Sequence, residues 1–220
     1  MLYDERAVRD NIRNREGRRV FILGKHDTLT PSARDFLHRE RIEVLPPEEA
    51  KPQVWKLLSG GFCEDKPEVM THLNGDTLVP KNHPRIRFRG AIDTLEAELL
   101  LCGEKTGEIL NLARRLIRCD VLNEPVGDIT LYGLSEAEQR KRSHFPQDYY
   151  GIPHFMPDFS DSPQLLQFNR ARCAARNAEL VAVDAFVDPD GIPTRLDILT
   201  ALNRISSMLY LLMLQEKSRK

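Results

Sequence analysis

The chain has 220 residues, of which 41% are hydrophobic and 30% are charged, and its formal net charge is -1. These values are ordinary for a globular protein and exclude the collagen, fibrous and disordered classes. Because the net charge is close to zero, no overall field attracts nucleic acid, and an anion site requires a local cluster of Arg and Lys. The length allows one hydrophobic core with one small additional unit.

The N-terminus and the cysteines indicate a cytoplasmic protein. Residues 1–16 are charged throughout and lack the apolar segment of a secretory signal. The longest apolar run, from Met208 to Leu214, is too short to cross a bilayer, so we expect no membrane partner. The four cysteines include no C-x-x-C pair, as expected in a reducing compartment. Cys63 and His72 are two ligand types without a second pair, so we assign no metal ligand.

Residues 1–66 differ from the rest of the chain. Thr30 followed by Pro31 predicts a helix start with a capping side chain and Pro at the first helical position. The segment from Pro46 to Pro67 is rich in Pro and Gly, and we interpret it as a linker or a mobile loop. We therefore predict a small α/β-like extension followed by a linker over residues 1–66. Its predicted elements are a polar helix at Tyr3–Arg15 and strands at Arg19–Leu23 and Ile42–Leu45.

From residue 67 to residue 220 the pattern becomes mostly helical. Asn74-Gly75, between two short apolar segments, predicts a β-hairpin because glycine tolerates positive φ. Apolar residues recur with helical period downstream, and prolines mark several helix starts. We predict a mainly α fold class, an antiparallel bundle of about five helices that follows the hairpin. The helices are predicted at 84–103, 107–122, 135–142, 163–186 and 193–215.

The segment 145–162 is rich in Pro, Tyr and Phe and has no sustained period. These properties predict a long ordered loop, and such loops often carry function. Its aromatic side chains could line an apolar wall beside a ligand, or they could simply cap the core of the bundle. They are Tyr149, Tyr150, Phe155 and Phe159.

The most informative stretch is the helix segment that contains Arg172, Arg176 and Glu179. These residues recur at i, i+4 and i+7 and therefore share one helical face. Planar guanidiniums stay charged and can bind phosphate oxygens in a bidentate manner, which suits a polyphosphate ligand. The same pattern also occurs on solvated helices that form ordinary ion pairs. The sequence has no glycine-rich phosphate loop of the P-loop or Rossmann type.

Three sequence blocks, taken in order, resemble the ATP:corrinoid adenosyltransferases. Lys81-Asn82-His83-Pro84-Arg85 followed by Gly90-Ala91-Ile92-Asp93-Thr94-Leu95 is similar to the family's K-N-D-P-R…G-x-V-D-E-L. The segment 171–180 resembles A-R-x-x-x-R-R-A-E-R, and Leu202-Asn203-Arg204-Ile205-Ser206 resembles L-N-R-L-S-D. Through Leu29-Thr30-Pro31-Ser32-Ala33-Arg34 the chain also resembles the EutT type of ethanolamine utilisation, a relative of the PduO type.

The resemblance implies a reaction in which Co(I) of a corrinoid attacks the 5′ carbon of ATP and triphosphate leaves. It implies ATP, Mg²⁺ and cobalamin as substrates and cofactors. The implied product is adenosylcobalamin, which would serve ethanolamine degradation. It further implies a homotrimer in the cytoplasm or inside a bacterial microcompartment. The implied partners are ethanolamine ammonia-lyase, a flavin reductase or microcompartment components. We expect no nucleic-acid partner. The alternative is a non-catalytic corrinoid carrier or assembly protein with the same bundle.

The resemblance also assigns roles to individual residues. Asp93, Arg172 and Arg176 are the implied catalytic residues, with Asp93 pairing Arg172, although Asp93 could instead face solvent. Arg204 could act from a neighbouring subunit. The implied ATP-binding residues are Arg172, Arg176, Glu179, Asn203, Arg204, Lys81, Thr71 and Lys66, and the implied corrinoid-binding residues are Phe155, Phe159 and Tyr150.

Two family features are absent from this sequence. Some EutT-type enzymes carry a His and Cys-Cys-x-x-Cys metal motif in the linker, whereas only Cys63 remains here. The PduO-type relatives hold ATP partly with a glycine-rich T-x-T-G-D-x-G segment. Asp65-Lys66-Pro67 and Thr71-His72 stand at the corresponding place without the glycines, so the capping of the triphosphate must differ.

Overall fold

The computed structural model describes residues 1–15, 18–47 and 54–219. The chain divides into two compact units, Met1–Val54 and Trp55–Lys220. This division falls inside the segment interpreted as a linker, of which residues 48–53 lie outside the described part of the chain.

The first unit contains two small sheets and two helices around its own apolar core. Strand β1 pairs with β4 in parallel, and β3 lies between antiparallel β2 and parallel β5. The core consists of Val8, Phe21, Ala33, Phe36, Leu37 and Ile42. The elements are β1 (Leu2–Tyr3), α1 (Glu5–Asp10), β2 (Arg13–Arg15), β3 (Arg18–Ile22), β4 (Thr28–Leu29), α2 (Pro31–Arg39) and β5 (Glu43–Leu45).

The start of α2 is confirmed, whereas the first helix is shorter than predicted. The Thr30 hydroxyl accepts a hydrogen bond from the Ala33 N–H at 3.3 Å, with Pro31 at the first helical position. The predicted helix Tyr3–Arg15 was wrong at both ends. Helix α1 begins at Glu5 and ends at Asp10, and Arg13–Arg15 forms a strand that pairs with β3. A polar segment without an apolar face gains little from helix formation, so pairing with a neighbouring strand decides its conformation.

The second unit begins with a four-stranded sheet in the order β7-β6-β9-β8. The predicted hairpin is confirmed as β8–β9, and Gly75 has the expected positive φ of 46°. The linker interpretation was wrong for residues 55–63, which form β6 and β7. Trp55 contacts the His72 ring with a centroid distance of 4.6 Å, so an aromatic contact holds this segment on the sheet. The strands are β6 (Trp55–Leu57), β7 (Phe62–Cys63), β8 (Met70–Asn74) and β9 (Thr77–Pro80).

Helices make up most of the second unit, and the mainly α class is confirmed. The segment 145–162 is not entirely a loop, because α6 forms within it. The last helix begins at Leu196 rather than Pro193, since Val187 and Pro193 form an isolated β-bridge. The helices are α3 (Pro84–Leu101), α4 (Gly107–Leu122), α5 (Glu136–His144), α6 (Pro146–Tyr150), α7 (Pro163–Phe186) and α8 (Leu196–Lys217).

Ion pairs show that α3 and α7 run in opposite directions. Arg87 near the start of α3 lies 3.8 Å from Asp184 near the end of α7. Glu98 near the end of α3 lies 2.8 Å from Arg170 near the start of α7. Helix α8 packs against α7, α5 and α4. By length and composition α8 could span a membrane, but 61% of its most apolar window is buried inside the unit, which is typical of a core helix.

A buried carboxylate on α4 ties the hairpin to the helices. Asp120 is completely buried and accepts hydrogen bonds from Arg85 Nε and Arg89 Nε, both at 2.7 Å. The Arg89 Nη2 atom also donates to the backbone carbonyl of Leu73 in β8 at 2.7 Å. Two guanidiniums of α3 therefore compensate one buried charge and hold β8 in place.

We predict that Asp120→Asn lowers the free energy of unfolding by about 3–5 kcal/mol, because the change leaves two partly buried guanidiniums without a compensating charge. Urea unfolding followed by circular dichroism measures this loss. The control is Glu96→Gln, which removes an ion pair to Arg114, an arginine whose side chain is 54% exposed. The control should cost less than about 1 kcal/mol. Equal losses in the two variants would contradict the role of Asp120.

Candidate active site

The predicted phosphate-binding face of α7 lies beside α8. Glu179 is half-buried and accepts a hydrogen bond from Asn203 Nδ2 at 3.1 Å. Seven residues earlier on α7, Arg172 is near enough to Tyr210 for its charge to act on the phenol. Burial raises the pKa of Tyr210, and the Phe155 backbone and the charge of Arg172 oppose that rise. The antiparallel helices thus bring these side chains together, and we call Arg172, Arg176, Glu179, Asn203 and Arg204 the α7–α8 seam.

The two arginines of the α7 face keep N–H groups available for a ligand. Arg172 is half-buried and uses Nε and Nη2 to donate to Asn169 Oδ1, at 3.3 and 3.0 Å. Arg176 is exposed, and its side chain makes no hydrogen bond or ion pair within the described residues. A guanidinium has five N–H donors, so both side chains can still bind an anion. Among the described residues Glu179 is hydrogen-bonded to Asn203 and not to Arg176.

Arg204 is buried, but only part of its guanidinium is hydrogen-bonded within the described residues. Its side chain is 6% exposed, and Nη2 donates to Asn203 Oδ1. The Nε and Nη1 atoms are also buried, but they have no partner among the residues described. Burial lowers the pKa of the Arg204 guanidinium, and Arg140 adds to this, while Glu136 and Glu179 oppose it. Unpaired buried donors cost free energy, so this guanidinium is held in place without being satisfied by the protein.

Asp93 does not meet Arg172 within one chain. Asp93 is exposed, whereas the guanidinium of Arg172 is bonded to Asn169. The side of α3 that faces α7 carries Arg87 and Glu98. At about 100° per residue, Asp93 lies roughly 120–140° around the helix from both, and therefore on another side. Within a single chain, the solvent-facing alternative for Asp93 therefore applies.

The three candidates before α3 lie around the hairpin. Thr71 is half-buried in β8, and Lys66 is exposed. Lys81 follows β9, and its Nζ lies 2.7 Å from Glu68 Oε1 in an exposed ion pair. None of the contacts observed among the described residues joins these side chains to the α7–α8 seam. Because exposed pairs are weak, Lys81 can readily exchange Glu68 for a phosphate.

The three predicted corrinoid-binding aromatics differ in environment. Tyr150 and Phe155 pack against the core, as the alternative interpretation of the loop proposed. The Phe155 ring stacks on Tyr210 at a centroid distance of 6.0 Å. Phe159 makes no such contact and is 102% exposed. Of the three residues, Phe159 is the most exposed, whereas Tyr150 and Phe155 are partly buried.

Several residues of the site were missed in the sequence analysis. Tyr210 and Lys217 follow Asn203 at intervals of seven residues, a spacing that places all three on one face of α8. That signal was hidden because the helix is apolar on most of its circumference. His154 and Asp161, which these residues contact, are ordinary loop residues without any local pattern.

Comparison with known proteins identifies the family of the chain. Residues 62–216 match the family described as Cobalamin adenosyltransferase. The Corrinoid adenosyltransferase EutT of Salmonella typhimurium strain LT2 is 33% identical over 217 residues, covering 84% of this chain and 81% of that protein. The Corrinoid adenosyltransferase EutT of Escherichia coli strain K12 is 30% identical with the same coverage. The chain therefore belongs to the cobalamin adenosyltransferase family, as a protein of the EutT type.

Proposed function

We propose that this protein transfers the 5′-deoxyadenosyl group of ATP to Co(I) of a corrinoid, and so supplies adenosylcobalamin for ethanolamine degradation. The observation that carries the proposal is the α7–α8 seam, where three guanidiniums with unused donors lie in a chain of this family. A Co–C bond forms with the electron pair of Co(I), the C5′–O bond breaks, and triphosphate leaves with that bond's electrons. The protein therefore has to align two substrates and stabilise a departing anion.

The seam residues divide these tasks. Arg172 and Arg176 bind the triphosphate, because their guanidiniums remain charged and match phosphate oxygens. Glu179 fixes the Asn203 amide, and the Asn203 carbonyl oxygen in turn accepts from Arg204. This chain of hydrogen bonds holds a buried cation at constant orientation, which favours electrostatic stabilisation without reorganisation. Lys81, Thr71 and Lys66 cover the triphosphate from the hairpin side.

Mg²⁺ enters with ATP in this proposal. Among the described residues no group of three or more His, Cys, Asp or Glu side chains lies together as a metal site. The phosphate oxygens themselves are the hard ligands that Mg²⁺ prefers. The ion neutralises part of the triphosphate charge when bound, and the arginines of the seam supply the remainder.

The aromatic loop forms the corrinoid side. Phe159 projects fully into solvent, whereas Tyr150 and Phe155 support the loop from the core. An apolar ring beside cobalt excludes water and a lower ligand, and removal of a donor disfavours the higher oxidation state. A flavin reductase would supply the electron, in the cytoplasm or inside a microcompartment with ethanolamine ammonia-lyase.

A homotrimer completes the site. Asp93 and Arg172 do not meet within a chain, so the pairing implied by the family requires two subunits. The bundle consists of α3, α4, α7 and α8 with α5 as the fifth helix on α8. Exposed Leu180 and Val183 on α7 add an apolar surface for the contact between subunits.

A non-catalytic corrinoid carrier remains the second candidate. It is favoured by the hairpin region, where the sequence has no glycine-rich loop before the helices and no contact among the described residues reaches the seam. Incubation with ATP, Mg²⁺ and chemically reduced cob(I)alamin separates the two functions by the absorbance of adenosylcobalamin. Corrinoid binding without turnover would support the carrier.

We predict that Arg176→Ala raises the KM for ATP about tenfold or more, or abolishes turnover, because a charged hydrogen-bond partner of the triphosphate is lost. The matched control is Arg170→Ala, an exposed arginine of the same helix that pairs with Glu98 on α3. Both variants should keep the helical circular dichroism spectrum. Unchanged kinetics in Arg176→Ala would remove this residue from the site.

We predict that Arg204→Met impairs ATP binding without lowering the thermal stability of the protein. The change removes two unsatisfied buried donors, so we expect an unchanged or higher Tm together with a higher KM for ATP. The control is Arg195→Met, because Arg195 is bonded to Asp197, Cys119 and Glu124. This control should lower the Tm. A clear loss of Tm in Arg204→Met would show that the guanidinium is structural.

Pairing between subunits can be tested by complementation. We expect Asp93→Ala and Arg172→Ala to be nearly inactive alone but to recover part of the activity after mixing and subunit exchange. One interface of a mixed oligomer then contains the intact Asp93 of one chain and the intact Arg172 of the other. Absence of recovery, with exchange confirmed by native mass spectrometry, would contradict the pairing.

A further inference from the structure

One face of α8 connects both ends of the proposed site. Asn203, Tyr210 and Lys217 are spaced by seven residues and together contact two functional segments. Asn203 donates to Glu179 in the seam. The other two contact residues 151–161, which we call the aromatic strap. At 1.5 Å rise per residue, these contacts lie about 10 and about 21 Å from Asn203 along the helix axis.

Tyr210 holds two adjacent residues of the strap. Its ring stacks on His154, with centroids 5.7 Å apart and planes at 14°, and on Phe155 at 6.0 Å and 27°. The Tyr210 hydroxyl lies 3.1 Å from His154 Nδ1, while His154 Nε2 lies 3.2 Å from the carbonyl oxygen of His144. Since a carbonyl only accepts, Nε2 donates to it, and Nδ1 and the Tyr210 hydroxyl share the second hydrogen bond.

Lys217 holds the far end of the strap. Its Nζ forms an ion pair with Asp161, whose side chain is fully buried, and lies 5.3 Å from the centre of the Phe155 ring. Asp161 Oδ2 also accepts from the Asp158 N–H at 2.9 Å, which closes a turn around exposed Phe159. An ion pair between a partly exposed lysine and a fully buried carboxylate, with a further hydrogen bond and a cation–π contact, restrains this end of the strap.

We propose that Tyr210 and Lys217 are positioning residues that hold the aromatic strap at a fixed distance from the seam. The inference rests on the proposed function, which identifies the corrinoid at the strap and ATP at the seam. Because a single helix carries both attachments, Phe159 cannot shift along α8 relative to Asn203. Such a fixed spacing suits a reaction in which cobalt and the 5′ carbon must be aligned, since misplacement by about 1 Å can cost a hundredfold in rate.

The test compares three strap variants with two matched controls. Tyr210→Phe removes the hydroxyl, Tyr210→Leu also removes the ring, and Lys217→Met removes the charge. The control Tyr132→Phe removes a hydroxyl that donates to the Lys105 carbonyl at 2.7 Å. The control Lys105→Met removes an ion pair to Glu216 at 3.2 Å and a charge 6.0 Å from the Phe168 ring. Neither control contacts the strap in the described part of the chain.

We expect faster hydrogen exchange at the strap amides in the three strap variants and not in the controls. With cob(I)alamin and ATP, Tyr210→Phe should raise the corrinoid KM or lower kcat about three- to tenfold, as expected for one lost hydrogen bond. Tyr210→Leu and Lys217→Met should have larger effects. The KM for ATP should stay within about twofold of the wild type, because the seam itself is intact.

Three results would overturn the inference. The first is strap exchange equal to that of the controls, which needs no catalytic activity to be observed. The second is a looser strap with unchanged corrinoid kinetics. The third is a parallel rise of both KM values together with a fall in Tm, which indicates a general structural role. Failure of the wild type to form adenosylcobalamin would instead contradict the proposed function, and hydrogen exchange would still decide whether α8 holds the strap.

Discussion

The antiparallel packing of α7 on α8 is the constraint on which the site depends. The hydrogen bond from Asn203 to Glu179 sets the register, and that register places Tyr210 beside Arg172. A shift of one helical turn, about 5.4 Å, would separate these pairs and would also move the strap away from its contact with Lys217. The phosphate end and the aromatic end are therefore positioned by one rigid element rather than by two independent loops.

The buried and partly buried arginines of the second unit differ in whether the protein compensates the free-energy cost of burying their charge. Arg85 and Arg89 share Asp120, a carboxylate that is fully buried and bonded on both oxygens, so this cluster contributes to stability. Arg204 is buried with two donors unpaired, so it costs free energy in the isolated chain. A ligand that supplied the missing hydrogen-bond acceptors would offset this cost.

The substitution of His83 for the family's Asp before Pro84 illustrates how a departure from a motif can keep its local role. His83 Nδ1 accepts from the Arg85 N–H at 3.2 Å at the start of α3, as an aspartate would. Burial, together with Arg85 and Arg89, lowers the pKa of His83, which keeps the ring neutral and able to accept. His83 thus caps the start of α3 through a side-chain acceptor, the role that an aspartate at this position could also serve.

The sequence by itself determined the mainly α class, the hairpin at Asn74-Gly75, the cap at Thr30 and the shared face of Arg172, Arg176 and Glu179. These features depend on local periodicity and turn chemistry, which act over a few residues. Only the tertiary structure decided that residues 55–63 form strands, that Asp120 is a buried ion-pair partner and that Asp93 is exposed. It alone also brought Tyr210 to His154, 56 residues away along the chain. Contacts between residues so distant in sequence depend on how helices pack, and no local pattern encodes that packing.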